Sequence, residues 1–125
     1  MEVRMNVSPG DVLDRLSILK LKIERSEDKP TSEYNSYKIS YEILRGSHSN
    51  LPWDLLFDLA YRANGIVWDL ESAIRNSQLD DNFVEAGKRA IMVRKINGIR
   101  VSVKNLVNNL TGEGFQEIKK EHLSE

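Results

Sequence analysis

Polar side chains recur at helical spacing in the second half of the chain. One set repeats at intervals of four, three and four residues: Asn64, Trp68, Glu71 and Arg75. A later set continues a stripe that starts with apolar residues: Asn97, Arg100 and Lys104. Residues at these intervals share one face of an α-helix, so each set forms a polar strip beside an apolar one. Arginine and lysine bind phosphate and carboxylate groups, and tryptophan offers a stacking surface.

A third polar set lies near the N terminus. It shares a helical face with Ile18, and it comprises Asp11, Arg15, Lys22 and Arg25, with Asp14 at the edge. The three sets have two readings. They form a polar groove between helices that binds a small anion, or they are ordinary ion pairs between neighbouring helices. The sequence leaves both readings open.

Charge is balanced overall but segregated along the chain. Eighteen Lys and Arg stand against 19 Asp and Glu, and the net charge of -1 gives no general attraction to nucleic acid or anionic lipid. Residues 86–112 contain six bases and no acid, whereas residues 54–75 contain four acids and two bases. Because no nucleic-acid-binding motif is present, the sequence does not favour a nucleic-acid partner.

The residue types that most catalytic and metal sites need are scarce. The chain has no cysteine and two histidines, His48 and His122. It has no glycine-rich phosphate loop, no His-Glu-x-x-His motif and no nucleophile elbow. Asp54 and Asp58 are one helical turn apart and could hold a magnesium ion, but such pairs are common on solvated helix faces. We expect a non-catalytic protein with no cofactor and no metal. The alternative is a small helical enzyme acting on a phosphorylated or carboxylated metabolite.

Four helices are predicted to position these residues. The first opens at Ser8 and Pro9 and ends near Ser26, and the second starts near Thr31 and stops at Gly46. The third begins around Pro52 and carries a heptad stripe of Leu56, Ala60, Ala63, Val67, Leu70 and Ile74. The fourth spans about residues 82–110, is capped by Asp80 or Asp81 and ended by Gly112, and carries a matching stripe of Met92, Ile96, Ile99, Val103, Leu106 and Leu110.

Two long heptad stripes predict an antiparallel hairpin of the third and fourth helices, onto which the first two helices pack. The expected fold is therefore an all-α four-helix bundle. It forms one domain over residues 1–125, with residues 1–7 and 113–125 peripheral. The first residues are too polar for a signal peptide, and no apolar run approaches the roughly 18 residues of a membrane span. We expect a cytoplasmic protein without a membrane partner.

Three blocks of the chain resemble a known family. The most distinctive is Ser8-Pro9-Gly10-Asp11-Val12-Leu13-Asp14-Arg15-Leu16-Ser17-Ile18-Leu19, followed by Lys22, Glu24 and Arg25. The second is Asn64, Trp68-Asp69-Leu70-Glu71 and Ile74-Arg75. The third is Asn97, Arg100, Lys104, Asn108, Leu110 and Glu117-Ile118-Lys119, with Gly98-Ile99 at positions where the pattern has more polar residues. Residues 26–51 carry none of it.

The pattern is similar to that of a family of small bacterial and phage helical proteins known only as a domain of unknown function. The resemblance implies no activity. It does place the polar candidates in one pattern: Asp14, Lys22, Trp68, Glu71, Arg75, Asn97, Arg100 and Lys104.

These residues are the predicted site for a small anionic ligand, such as a nucleotide or nucleotide-derived signal. Contacts to phosphate are assigned to Arg75, Arg100 and Lys104, and stacking on a base to Trp68. Orientation of the ligand is assigned to Asp14, Glu71 and Asn97. In a phage, sequestering a host signalling nucleotide would be a natural role for such a protein. The alternative is a protein–protein adaptor whose heptad helices pair with a partner or with a second copy of the chain.

Overall fold

A computed structural model of the chain describes residues 7–76 and 80–112. Within these ranges the chain forms four α-helices and no β-strand. The helices are α1 (Pro9–Arg25), α2 (Thr31–Ser47), α3 (Trp53–Arg75) and α4 (Phe83–Thr111). The predicted all-α class and the four helical segments are confirmed. Of the segments predicted to be peripheral, residues 1–6 and 113–125 lie outside the described ranges.

Local capping explains where several helices begin and end. Ser8 caps α1, because its hydroxyl accepts a hydrogen bond from the backbone N–H of Asp11 at 3.2 Å. Gly112 ends α4 with φ of 68°, the left-handed conformation that favours glycine. Two predictions were wrong in detail. Asn82, and not an aspartate, caps α4 through its side chain, and α2 continues past Gly46 by one residue.

Helix α1 lies at the centre of the molecule and packs against each of the other three helices. Its leucines are therefore buried on several sides, and Leu13, Leu19 and Leu21 are almost completely inaccessible. Helices α3 and α4 form the most extensive helix pair, as the predicted hairpin requires. Helix α2 packs on α1, and its Tyr41 is buried in the main core.

The predicted apolar stripe of α4 was wrong for most of its members. Val103 is buried, but Met92, Ile99, Leu106 and Leu110 are each 43–49% exposed. The core side of α4 instead presents buried Val101, Val107, Asn108 and Thr111. The error has a physical cause. The strip that contains Arg100 and Lys104 faces α1, so the heptad stripe lies on another side of the helix.

Gly10 brings α1 and α4 into close backbone contact. A Cβ atom on Gly10 would lie 2.3 Å from the backbone carbonyl oxygen of Lys104. The backbone N–H of Gly10 also donates to Oδ1 of the buried Asn108 at 2.8 Å. Only glycine permits this approach, which sets the position of the polar residues of α1 against those of α4. No helix in the described part of the chain combines the length and apolar composition of a membrane span.

Candidate functional site

Asp14 is the centre of a polar network between α1, α3 and α4. The residue is 8% exposed, and its carboxylate receives hydrogen bonds from two other helices. Arg100 of α4 donates through Nη2 at 3.1 Å and through Nε at 3.4 Å. Asn64 of α3 donates through Nδ2 at 3.1 Å. A buried carboxylate is strongly destabilising unless it is paired in this way, so the Asp14–Arg100 pair ties α1 to α4.

Asn64 and Ser17 complete the buried part of this network. The Ser17 hydroxyl donates to the backbone carbonyl of Asp14 at 2.7 Å and accepts from Asn64 Nδ2 at 2.7 Å. Ser17 is fully buried and Asn64 is 5% exposed. Among the described residues no buried side-chain nitrogen or oxygen lacks a hydrogen-bond partner. The network is therefore satisfied internally, which is the arrangement that buried polar groups require.

Arg100 extends from this network toward a cavity. Its Nη1 donates to Asn97 Oδ1 at 2.8 Å, and its side chain is 22% exposed. The cavity beside it has a volume of about 130 Å³ and is open to the surface. It is lined by Ile18, Leu21, Asn64, Val67, Trp68, Glu71 and Arg100. We refer to this space as the Arg100 cavity.

The structure brings together most, but not all, of the predicted site residues. Asp14, Asn97 and Arg100 are in direct contact, and Trp68 and Glu71 line the Arg100 cavity with Arg100. Lys22 and Lys104 do not line that cavity. Lys104 lies farther along α4, where its Nζ is 3.5 Å from Asp11 Oδ1. Lys22 is half-buried on α1, and the side chain of Arg75 lies outside the described part of the structure.

Asn64 was recognised in the sequence as part of a polar strip but was not included among the predicted site residues. The structure makes it the residue that joins α3 to both Asp14 and Ser17. Its position four residues before Trp68 placed it on the correct helical face. The sequence alone does not show that its amide group would be buried rather than solvated.

A larger cavity between α1, α2 and α3 was missed entirely. Its volume is about 340 Å³, and four aromatic rings contribute to its walls. Its lining residues are Leu16, Lys20, Tyr34, Lys38, Tyr41, Glu42, Arg45, Asp54, Phe57, Asp58 and Tyr61. We refer to it as the aromatic cavity. The spacing of Phe57 and Tyr61 indicated an aromatic face on α3. No local pattern indicated that α2 would place its tyrosines beside that face.

Several charged groups of the aromatic cavity already have partners. Lys20 Nζ lies 4.8 Å from the centroid of the Tyr61 ring, a cation–π distance. Arg45 donates to Asp54 at 2.8 Å and to the Tyr41 hydroxyl at 3.4 Å. Burial raises the pKa of Tyr41 above its ordinary value, and the hydrogen bond that Tyr61 donates to Glu24 raises the pKa of Tyr61. These contacts stabilise the junction of the helices.

The described residues offer no cluster that resembles a metal centre. No group of three or more His, Asp or Glu residues lies close enough together to hold an ion within residues 7–76 and 80–112. Asp54 and Asp58, the pair at magnesium spacing, instead bind Arg45 and Arg62 respectively.

Comparisons with models of known families, with curated proteins and with solved structures found no match. The resemblance of the three sequence blocks to the small bacterial and phage family therefore stays a prediction.

Proposed function

We propose that this protein binds a small anionic ligand at the Arg100 cavity without transforming it. The observation that carries the proposal is the way in which Arg100 is held. Among the described residues, its bonds to Asp14 and Asn97 engage three of the five N–H groups of a guanidinium. The side chain is fixed in orientation but still partly exposed at an open cavity. An arginine held rigidly in this way loses little entropy when it binds an anion.

The volume of the cavity restricts the ligand. Pockets that enclose a drug-sized molecule measure about 300–1,000 Å³, whereas the Arg100 cavity measures about 130 Å³. It therefore admits one phosphate or carboxylate group, or the edge of a ring, and not a whole nucleotide. If the ligand is a nucleotide, as the sequence analysis expects, most of it lies outside the cavity, and Trp68 is the aromatic residue at the wall on which a base would stack.

The local charges restrict the ligand further. Asp14 neutralises Arg100, and Glu71 adds a second carboxylate to the cavity wall. Directional hydrogen bonds, and not a strong positive potential, must therefore select the ligand. Arg100 would donate to an anionic oxygen, while Glu71 would accept from an N–H group. A nucleotide whose base has an amino group offers both. Asp14 and Asn97, which the sequence assigned to orienting the ligand, are better assigned to orienting Arg100.

Thermal unfolding against nucleotides, cyclic nucleotides and sugar phosphates tests the proposal. A ligand at a hundred times its dissociation constant stabilises the native state by about 2.7 kcal/mol. For a domain of this size, each kcal/mol raises the unfolding midpoint by roughly 3–6 °C. A ligand should therefore raise the midpoint by roughly 8–16 °C. If no compound in the panel raises the unfolding midpoint, the network around Asp14 and Arg100 has a structural role only.

Matched glutamate variants then locate the site. Glu71→Gln retains the shape of the Arg100 cavity but removes its carboxylate, and we expect it to reduce the shift. Glu42→Gln makes the same change at the aromatic cavity and should leave the shift intact. The reverse pattern would place the ligand in the aromatic cavity and overturn our assignment. Conversion of the ligand to a product would instead support the enzyme alternative.

A further inference from the structure

The hairpin of α3 and α4 has an apolar side that no part of the described structure covers. Among the described residues of these two helices, eleven large apolar side chains are 39–84% exposed, and seven of them, 41–58% exposed, recur at helical spacing. On α3 they are Leu55, Leu59 and Ile66. On α4 they are Met92, Ile99, Leu106 and Leu110. We define these seven residues as the outer hairpin face. Single exposed apolar residues are common on proteins, but a set on two adjacent helices calls for an explanation.

The spacing within this face is that of a helix-pairing seam. Met92, Ile99 and Leu106 are seven residues apart in succession on α4. Leu59 and Ile66 are also seven residues apart on α3. A helix that rests on one core and faces water on its other side normally carries polar residues on that other side. Apolar residues that recur every seven positions instead indicate packing against a further helix.

The outer hairpin face lies away from α1, which covers the other side of the hairpin. Arg100, Lys104 and Asn108 mark the α1-facing side of α4 through their bonds to α1. Successive helical residues are rotated by about 100°, so Leu106 is about 160° from both Lys104 and Asn108. On α3 the buried Leu56 and Ala60 contribute to the core around α1, and each follows an exposed leucine by one position. The two sides of the hairpin are therefore distinct surfaces.

We propose that a second copy of this chain packs on the outer hairpin face, so that the two hairpins form an intermolecular four-helix bundle. The area is sufficient for this. A helix of 23 residues such as α3 is about 34 Å long, and two helices side by side are about 20 Å wide, so the face covers roughly 700 Å². Standard interfaces bury about 1,200–2,000 Å² in total, or about 600–1,000 Å² on each partner.

Charge also favours a second copy as the occupant. Asp69, which bonds Arg25 of the same chain but stays 70% exposed, lies on α3 three residues after Ile66. The exposed Lys88 and Lys95 lie on α4 four residues before and three residues after Met92. In a two-fold dimer, α3 of each copy can pack along α4 of the other, and acidic and basic helices then meet twice. A basic membrane-binding face would carry lysine and arginine along both helices, whereas the exposed Arg62 of α3 is paired with Asp58.

The test is the molar mass in solution, measured by sedimentation equilibrium of the full chain. We expect twice the chain mass of 14.4 kDa for the unaltered protein. Ile99→Glu should weaken dimerisation by at least about tenfold, because it places a charge in the centre of an apolar interface. Ile99 is 49% exposed within one chain, so the monomer should keep its helical circular dichroism.

Ile39→Glu is the matched control. Ile39 is 63% exposed on α2, outside the outer hairpin face, and this variant should remain a dimer. A monomeric unaltered protein at high concentration would overturn the proposal. So would a dimer that Ile39→Glu disrupts and Ile99→Glu does not, because the interface would then lie on α2. Monomers that sediment with anionic vesicles would identify the face as a membrane-binding surface instead. None of these outcomes depends on ligand binding at the Arg100 cavity.

Discussion

Removing Arg100 should destabilise the fold far more than removing a typical surface arginine. Asp14 is 8% exposed, and of the hydrogen bonds that the structure shows to its carboxylate, Arg100→Ala would leave only the one from Asn64. Breaking one partner of a fully buried ion pair costs about 3–5 kcal/mol. Because Arg100 is 22% exposed beside an open cavity, water can reach part of the site. We therefore expect a loss of about 2–4 kcal/mol in the free energy of unfolding.

A double-mutant cycle separates this interaction from other effects of truncation. Arg100→Ala, Asp14→Ala and the double variant are compared by urea denaturation. We expect a coupling energy of about 1.5–3 kcal/mol, because the double variant no longer contains an unpaired buried charge. The control is Arg62→Ala, since Arg62 pairs with Asp58 on the exposed surface of α3. That pair should contribute about 0.3–0.5 kcal/mol.

Two results would refute this reasoning. One is a loss in Arg100→Ala no larger than that in Arg62→Ala. The other is strict additivity of the cycle, since an additive pair makes no net contribution. Salt provides a further check, because a buried pair is screened less than an exposed one. The coupling energy of Arg100 with Asp14 should therefore persist at an ionic strength of about 1 M, whereas the contribution of Arg62 should disappear.

The remaining predictions concern backbone packing and alkaline stability. Gly10→Ala should destabilise the protein by about 1–3 kcal/mol in urea denaturation, because the added Cβ would collide with the Lys104 carbonyl oxygen. An unchanged free energy of unfolding would contradict that close contact. Gly87→Ala, in open space on α4, should instead stabilise by about 0.5–1 kcal/mol. Burial raises the pKa of Tyr41, so the native state holds this proton more tightly than the unfolded state does. The free energy of unfolding should therefore fall as pH rises above about 10. Urea midpoints measured across the alkaline range should fall less in Tyr41→Phe than in the unaltered protein. An equal fall in both proteins would exclude Tyr41 as a source of the pH dependence.

The ligand site and the proposed dimer interface are compatible because α4 separates them. Arg100 and Ile99 are adjacent in sequence, but Arg100 bonds to α1 whereas Ile99 is exposed on the outer hairpin face. A dimer formed through that face leaves the Arg100 cavity on the α1 side of each hairpin. Each dimer would then carry two separate sites.

Local signals in the sequence predicted the helices well. The N terminus of α1 was predictable because a serine cap, a proline and a first-turn acid act within four residues of one another. The end of α4 was predictable because Gly112 is the residue type that adopts φ of 68° most readily. Helical spacing also predicted that Trp68 and Glu71 would share a face, and both line the Arg100 cavity.

Tertiary partners were not predictable from such signals. Asp14 and Arg100 are 86 residues apart, and their pairing depends on the close approach of α1 to α4 at Gly10. The heptad stripe of α4 was interpreted as core, because a stripe that faces the core and one that faces a second molecule have the same spacing. Only the exposure of Leu106 and its neighbours distinguishes them.

The aromatic cavity illustrates the same limit. The spacing of Tyr34, Tyr37 and Tyr41 places them on one face of α2, and all three pack with the core. The role of Tyr34 and Tyr41 as cavity walls depends on α1 and α3, which contribute Lys20, Phe57 and Tyr61. The residue spacing within one helix does not indicate how three helices will be arranged around a cavity.

The most direct test of ligand binding at the Arg100 cavity is fluorescence titration with the ligand that the thermal panel identifies. The chain has two tryptophans, and Trp53 is 3% exposed in the core, so Trp68 is the one that a ligand at this cavity would contact. We predict a saturable change in tryptophan emission that is absent in Trp68→Phe, together with weaker binding in that variant. A change that persists with an unaltered dissociation constant in Trp68→Phe would contradict the assignment of the ligand to the Arg100 cavity.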